Sequence, residues 1–407
     1  MARNSKLKLA VSVLLAALFA SCPPLASASL SLRGSAAQPR QAAVNRKTVR
    51  GRALWPGSRF TKEERARAVR RGLRFIYRTA LDRENFEAYG SDYLWCFYTI
   101  SEGVSDPGVR RLARRMGLER ARVWRRSHRA VPAGASADEL IDFAFGSDAA
   151  DSLGLRDDAL KVQIRSAAAR FTATDLLLFD PTREPPPSDV PEVCEFDKVV
   201  NERGAKMCRR CGRPLRMRTR YDVWYGALIT TYTGDRYGVR LGATYGDVLK
   251  WLPVLRPYRG SEGGANAEFY DTVYALTHVV YTLNDYGQLR LPARLLPEEF
   301  AFLKSNLREA VREGDADMLG EFMDSLRALG LSDADAEIRA GTDYLLAHQN
   351  ADGSWGDARE KDIYLRYHPT WGGVAALSDY AWRGTGPGPA KLRLLLALGS
   401  DGAARKD

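Results

Sequence analysis

The hydrophobic pattern along the chain repeats itself. Residues 221–238 read YDVWYGALITTYTGDRYG, and residues 270–287 read YDTVYALTHVVYTLNDYG. At an offset of 49 residues, seven of 18 positions coincide, among them Tyr221 with Tyr270, Asp222 with Asp271, Tyr232 with Tyr281 and Gly238 with Gly287. A fainter copy runs over 364–380, where Tyr364, Leu377, Asp379 and Tyr380 keep the frame. Another covers 317–330, where Asp317 and Leu329 fit. Extended backwards, the frame reaches segments near Tyr89 and Asp138. Between the copies the apolar spacing is helical. Phe300, Leu303, Leu307 and Val311 form one stripe over 296–311, and Ile338, Leu345 and Leu346 form another over 334–349, with Asp333 as its N-cap.

A fixed period of 46 to 49 residues is the signature of a repeat architecture. The unit predicted is a helix, a turn and a helix, with six inner helices near 89, 138, 221, 270, 317 and 364, each followed by an outer helix. The step from 138 to 221 is too long for one repeat, so an insertion is expected at about 180–216. The fold class expected is all-α: an (α/α)6 toroid of helical hairpins, in which each repeat buries its apolar face on its neighbours. An open solenoid is the other architecture this pattern allows.

Residues 349–357 read QNADGSWGD. This resembles the Q-x-x-D-G-S-W-G motif of the terpenoid-cyclase and protein-prenyltransferase superfamily, whose squalene–hopene cyclases carry such repeats. The resemblance covers residues 330–382 and reaches the rest only through the repeat. It implies a toroid in which Gln349 closes an outer helix and stacks on Trp355, with Asp352-Gly353 forming the turn. It implies an activity less directly. The Asp-x-Asp-Asp acid of class II cyclases is missing, and Asp315-Ala-Asp317 and Asp333-Ala-Asp335 read as helix-start acids.

The first 28 residues have a basic start, the apolar run LAVSVLLAALFA and Ala26-Ser27-Ala28, the layout of a secretory signal peptide. An uncleaved anchor, or lipidation at Cys22 after FAS, are the other readings of this segment. The expected location is exported: periplasmic, cell-envelope or secreted. Residues 29–58 read as a disordered linker, 59–383 as the toroid domain and 384–407 as a C-terminal tail. The net charge is +11, carried by 49 Arg and 12 Lys. No nucleic-acid motif accompanies it, and the basic run Arg110–Arg129 reads as a solvated helix face with Leu112, Met116, Leu118 and Val123 turned inward.

Three groups of residues could carry chemistry. Cys194, Cys208 and Cys211 lie in the insertion, the last two in CRRCGRPL, which has the spacing and glycine of a zinc knuckle. Zinc is therefore a candidate cofactor, with His278, Cys96 or an aspartate as fourth ligand; a disulfide from Cys194 is the alternative in an exported chain. Asp222, Asp271 and His278 are the candidate catalytic set, since Asp271 and His278 are two helical turns apart and Asp222 is the repeat mate of Asp271. Capping and core roles compete with that reading. Trp224, Tyr232, Tyr281, His368 and Trp371 are candidate cavity-lining residues, together with Tyr225 and Tyr274. No G-x-S-x-G, H-E-x-x-H or phosphate loop occurs. The expected function is a binding or interaction protein for a hydrophobic, glycan or peptide ligand. The alternative is an enzyme on an isoprenoid or glycan that uses cavity acids and histidine.

Overall fold

The computed structural model describes residues 53–387. The expected signal segment, Cys22, residues 29–52 and residues 388–407 lie outside the described residues. The described part is all-α apart from one two-residue strand pair. The chain runs through α1 (Lys62–Leu81), α2 (Arg83–Gly103), α3 (Pro107–Ser127), α4 (Ala137–Ser152), α5 (Asp158–Ala168) and α6 (Ala173–Leu177). It continues through α7 (Arg220–Tyr237), α8 (Tyr245–Leu249), α9 (Phe269–Leu283), α10 (Pro297–Glu313), α11 (Ala316–Ala328), α12 (Ala336–His348) and α13 (Tyr364–Leu377). Local chemistry sets these ends. Thr61 and Glu64 form a capping box on α1, Ser136 and Glu139 form one on α4, and Asp315 accepts two amide bonds at the start of α11.

The repeat frame locates six of these helices: α2, α4, α7, α9, α11 and α13. Each packs on the next in that order, and α13 packs on α2 and, more extensively, on α1. The other long helices cover them. Helix α3 lies on α2 and α4, α5 on α4, α10 on α9 and α11, and α12 on α11 and α13. One expectation changes here. Among the described residues no helix comes after α13 to cover it; α1, from the other end of the chain, takes that place. Between α6 and α7, residues 178–219 form no helix. The chain does not leave the fold at 384, because Gly384–Thr385 pairs in parallel with Leu289–Arg290. Among the described residues no helix is long and apolar enough to cross a membrane.

The junction of α1 with α13 is built around Trp355. Its ring is fully buried. Its indole N–H donates to the Leu345 carbonyl at 2.8 Å, and its own amide donates to Thr370 Oγ1 at 3.1 Å. A Cβ at Gly72 of α1 or Gly373 of α13 would fall 2.7–2.8 Å from the ring, so both helices reach it only through glycine. Gln349 Nε2 spans the junction, donating to the Ala68 and Gly353 carbonyls at 2.8 and 3.0 Å. Arginines add to it. Arg65 of α1 donates to the Leu377 carbonyl and pairs with Asp333 and Asp379, while Arg327 of α11 holds the other oxygen of Asp333. Asp333 is thus a bridge between two arginines rather than an N-cap; Asp335 holds the N-cap position.

The apolar stripes shift slightly from the sequence reading. On α10 Leu303 and Leu307 are buried with Phe302 and Ala310, while Phe300 and Val311 are half-buried. On α3 Met116 is buried alongside Val109, Ala113, Ala121 and Trp124, and Leu112, Leu118 and Val123 sit at the margin. The Trp355 junction makes a stability prediction. Trp355→Ala is expected to lower the unfolding free energy by about 3–5 kcal/mol. Gln349→Ala is expected to cost about 1–2 kcal/mol. Urea denaturation of the two variants checks both the order and the size.

Candidate active site

The helices α2, α4, α7, α9, α11 and α13 line a common cavity of about 210 Å³. Its wall is mainly aromatic and aliphatic. Trp95 comes from α2, Phe145 from α4, Tyr225 from α7, Tyr274 and Tyr281 from α9, and Tyr364 and Trp371 from α13. Helical phase explains the selection. On α9, Tyr274, His278 and Tyr281 stand at i, i+4 and i+7, and on α13 Tyr364, His368 and Trp371 do the same. Tyr286 joins them from the turn after α9. That turn holds two successive residues, Asp285 and Tyr286, in the left-handed region at φ 52° and 47°. Such strain in non-glycine residues collects at functional sites.

The polar groups converge at one side. Helix α11 is almost wholly buried, yet it carries Asp317, Glu321 and Asp324 at i, i+4 and i+7. Gly320 brings it against α13 so closely that a Cβ there would lie 2.6 Å from the Gly372 backbone. This approach sets Asp317 against His368, with Oδ1 and Nδ1 2.8 Å apart. Tyr274 donates its hydroxyl to the other Asp317 oxygen at 2.9 Å. Glu321 accepts from the Thr277 hydroxyl through Oε2. His278 lies 3.9 Å from the same oxygen, and its Nδ1 stands 2.8 Å from the Tyr274 carbonyl. A carbonyl only accepts, so Nδ1 carries the proton and Nε2 keeps its lone pair.

Environment sets the charge on each group. Burial raises Glu321 to about 8, reinforced by the Asp317 carboxylate, so it is a neutral acid at neutral pH. Burial lowers His278 to about 4, so it is a neutral imidazole. Burial also disfavours charge on His368, but the Asp317 carboxylate outweighs this and holds it up at about 10. Burial likewise works against charge on Asp317, and the His368 imidazolium overrides it, keeping the carboxylate ionised. Asp92 of α2 also lines the cavity, where it accepts from the Tyr367 hydroxyl at 2.7 Å and is raised by burial.

Asp317, Glu321 and His368 each offer an atom within 4.8 Å of the others, so this set could also hold a metal ion. A second set with that property is Cys194, Asp197, Cys208 and Cys211 in the insertion. Both are metal-capable by donor type and spacing.

The sequence-derived candidates divide. His278, His368, Tyr281 and Trp371 line the cavity, as do Tyr225 and Tyr274. Asp222 and Asp271 do not. Asp222 is spent in a buried ion pair with Arg218 at 2.8 Å, and Asp271 accepts from the Thr219 hydroxyl at 2.7 Å. Trp224 points the other way, donating its indole N–H to the Val248 carbonyl of α8. Tyr232 lies behind the lining, hydrogen-bonded to Asp285 and packed on Tyr286. His278 lies in the cavity and not with the cysteines; the residue grouped with them is an aspartate, Asp197. Asp317 has the sequence position of a helix-start acid, but Asp315 does the capping and Asp317 faces His368. Glu321 is a site residue that the repeat pattern does not single out. The signal for it is the acidic stripe 317, 321 and 324 on an otherwise apolar helix.

Residues 269–376 match a family described as a domain of unknown function (DUF6895). The match covers α9 to α13, and so includes Asp317, Glu321, His278 and His368. Comparisons with curated proteins and with solved structures give no match.

The opposite shifts of the two histidines can be read directly. In an NMR titration of the ring signals, His278 is expected to stay neutral down to pH about 4 and His368 to stay charged up to about 10. Because His368 is raised above its ordinary 6.5, its stabilising contribution is complete below pH 6.5 and is lost as pH rises through about 10. Asp317→Asn should make His368 neutral at pH 8 and flatten that limb of the pH–stability curve.

Proposed function

We propose that this protein is an acid–base enzyme acting on a mainly apolar substrate, on an (α/α)6 toroid of the terpenoid-cyclase and prenyltransferase type. The toroid reading is supported by the order of helix packing, the common cavity of the six repeat helices and the Gln349–Trp355 turn at the α1–α13 junction. The enzyme reading rests on one observation: Glu321, His368 and His278 line one aromatic cavity, with Asp317 paired to His368. An apolar binding site does not need them, and each buried ionisable group costs stability.

In this reading Glu321 is the proton donor and the free Nε2 of His278 is the acceptor. Two titratable groups pushed apart in opposite directions are what acid–base catalysis at neutral pH requires. The His368–Asp317 pair is a fixed dipole beside them. A carboxylic acid near 8 is too weak to protonate an unactivated alkene, but it suits an oxygen atom. The substrate proposed is therefore an isoprenoid bearing an oxygen function, with the rings of Trp95, Tyr281 and Trp371 against its hydrocarbon part. The cysteine cluster of the insertion takes no part in this chemistry. The layout of residues 1–28, that of a secretory signal peptide, supports a location outside the cytoplasm.

The test is incubation with a panel of isoprenoid alcohols, epoxides and diphosphates, and of oligosaccharides, with products read by mass spectrometry. Turnover of an isoprenoid that falls about 10²–10⁴-fold in Glu321→Gln supports the reading. The rate should decline above pH about 8, where Glu321 loses its proton, and below about 4, where His278 gains one. Binding of a panel member without turnover returns the protein to the ligand-binding class.

A further inference from the structure

Residues 178–219 make an unusually long stretch without a helix for a compact domain. They have little apolar core of their own. Phe196, Val200 and Met207 are each more than half exposed, at 62%, 63% and 52%. Two tight turns nevertheless face each other within the stretch. In the first, the Lys198 amide bonds the Cys194 carbonyl, and the Cys194 amide bonds the Val199 carbonyl. In the second, the Cys208 amide bonds the Arg213 carbonyl at 2.7 Å, and the Gly212 amide bonds the Cys208 carbonyl at 2.8 Å. The side chains that meet between the turns are Cys194 and Asp197 from one, and Cys208 and Cys211 from the other.

We propose that these four residues form a tetrahedral zinc site, with Asp197 as the fourth ligand, and that the ion holds the insertion together in place of a hydrophobic core. The spacing fits. Zinc–sulfur bonds of about 2.3 Å at a tetrahedral angle put two sulfurs about 3.8 Å apart, and a sulfur and a carboxylate oxygen about 3.5 Å apart. Cys194 Sγ and Cys211 Sγ are separated by 3.6 Å, and Cys208 Sγ and Asp197 Oδ2 by 3.3 Å. The backbone supports thiolate character, since the Arg210 amide points at Cys208 Sγ at 3.4 Å. Three soft sulfurs with one carboxylate favour zinc over magnesium or calcium, which take all-oxygen shells. All four ligands come from the insertion, so the ion is structural and the cavity is independent of it.

The inference stands apart from the enzyme reading, and its test does not use turnover. The full chain, purified without chelator, is assayed for metal by elemental mass spectrometry, and for thiols by alkylation and intact mass. About one zinc per chain, with Cys194, Cys208 and Cys211 all alkylated after denaturation, is expected. Loss of an outer-shell partner alone weakens metal binding about 10–100-fold. Asp197→Ala should therefore lower the affinity for zinc by at least about tenfold in competition with a chelator. Asp197→Cys should keep one zinc per chain, which separates loss of a ligand from loss of fold. Glu321→Gln should leave the zinc content unchanged. A metal-free chain with two of the three cysteines joined in a disulfide would overturn the site. Undiminished zinc affinity in Asp197→Ala would overturn the role of Asp197.

Discussion

The structure depends on one constraint: among the described residues, the first helix must be held to the last. Helix α13 would have a bare face if α1 did not cover it, and the two are more than 280 residues apart in the chain. Trp355 solves this by filling the gap between Gly72 and Gly373, with its amide held by Thr370, its indole N–H by the Leu345 carbonyl, and the Gln349 amide bridging Ala68 and Gly353 beside it. Around this apolar wedge the arginines of α1 reach carbonyls that have no helical partner, at Asn350, Asp352 and Leu377. These charge-assisted bonds work on the orphan carbonyls of chain ends and turns, where a neutral donor would be weaker.

Much of the helix order could be read from the sequence because the repeat is carried by residues that cannot easily drift. Tyrosine, aspartate and glycine mark the ends of α7 and α9, and the weaker copies preserve enough of them to locate α11 and α13. The outer helix beside α13 was not legible. A repeat frame pairs each inner helix with the segment just after it in the chain, whereas the cover of α13 comes from the beginning of the chain. Asp333 shows the same limit. Its position before a helix is a good reason to expect a cap, and nothing local reveals that Arg65 and Arg327 will claim it.

The cavity was half legible for a geometric reason. One residue along a helix turns the side chain by about 100°. Trp224 and Tyr225 are adjacent, and only Tyr225 faces the cavity, so an aromatic-rich helix names its candidates without naming its face. The acids were harder still. Asp222 and Asp271 repeat, and repetition favoured them, but Arg218 and Thr219 hold them away from the cavity. The groups with unusual protonation, Glu321 and His368, sit at positions where the copies differ. Their protonation arises from their surroundings: burial raises Glu321, and the Asp317 carboxylate, 51 residues from His368 in the chain, raises both groups. The buried ion pair and the neutral acid beside it also stabilise each other's protonation states, because a second carboxylate charge next to Asp317 would be repelled.

The dependence of α1 on α13 has a consequence for the order in which the chain can assemble. The apolar face of α1, with Val69, Leu73 and Ile76 fully or nearly fully buried, is made almost as soon as the domain begins to be synthesised. Trp355 and α13, which close one side of it, arrive only with about the last eighth of the chain. Contacts of such long sequence separation are slow to form, and the exposed surface invites association in the meantime. Helices α2 and α3 cover part of α1 early, but a chain truncated before α13 would leave bare the side at Gly72 that meets Trp355 and Val374. The junction of α1 with α13 can therefore close only once α13, the last helix among the described residues, has been made.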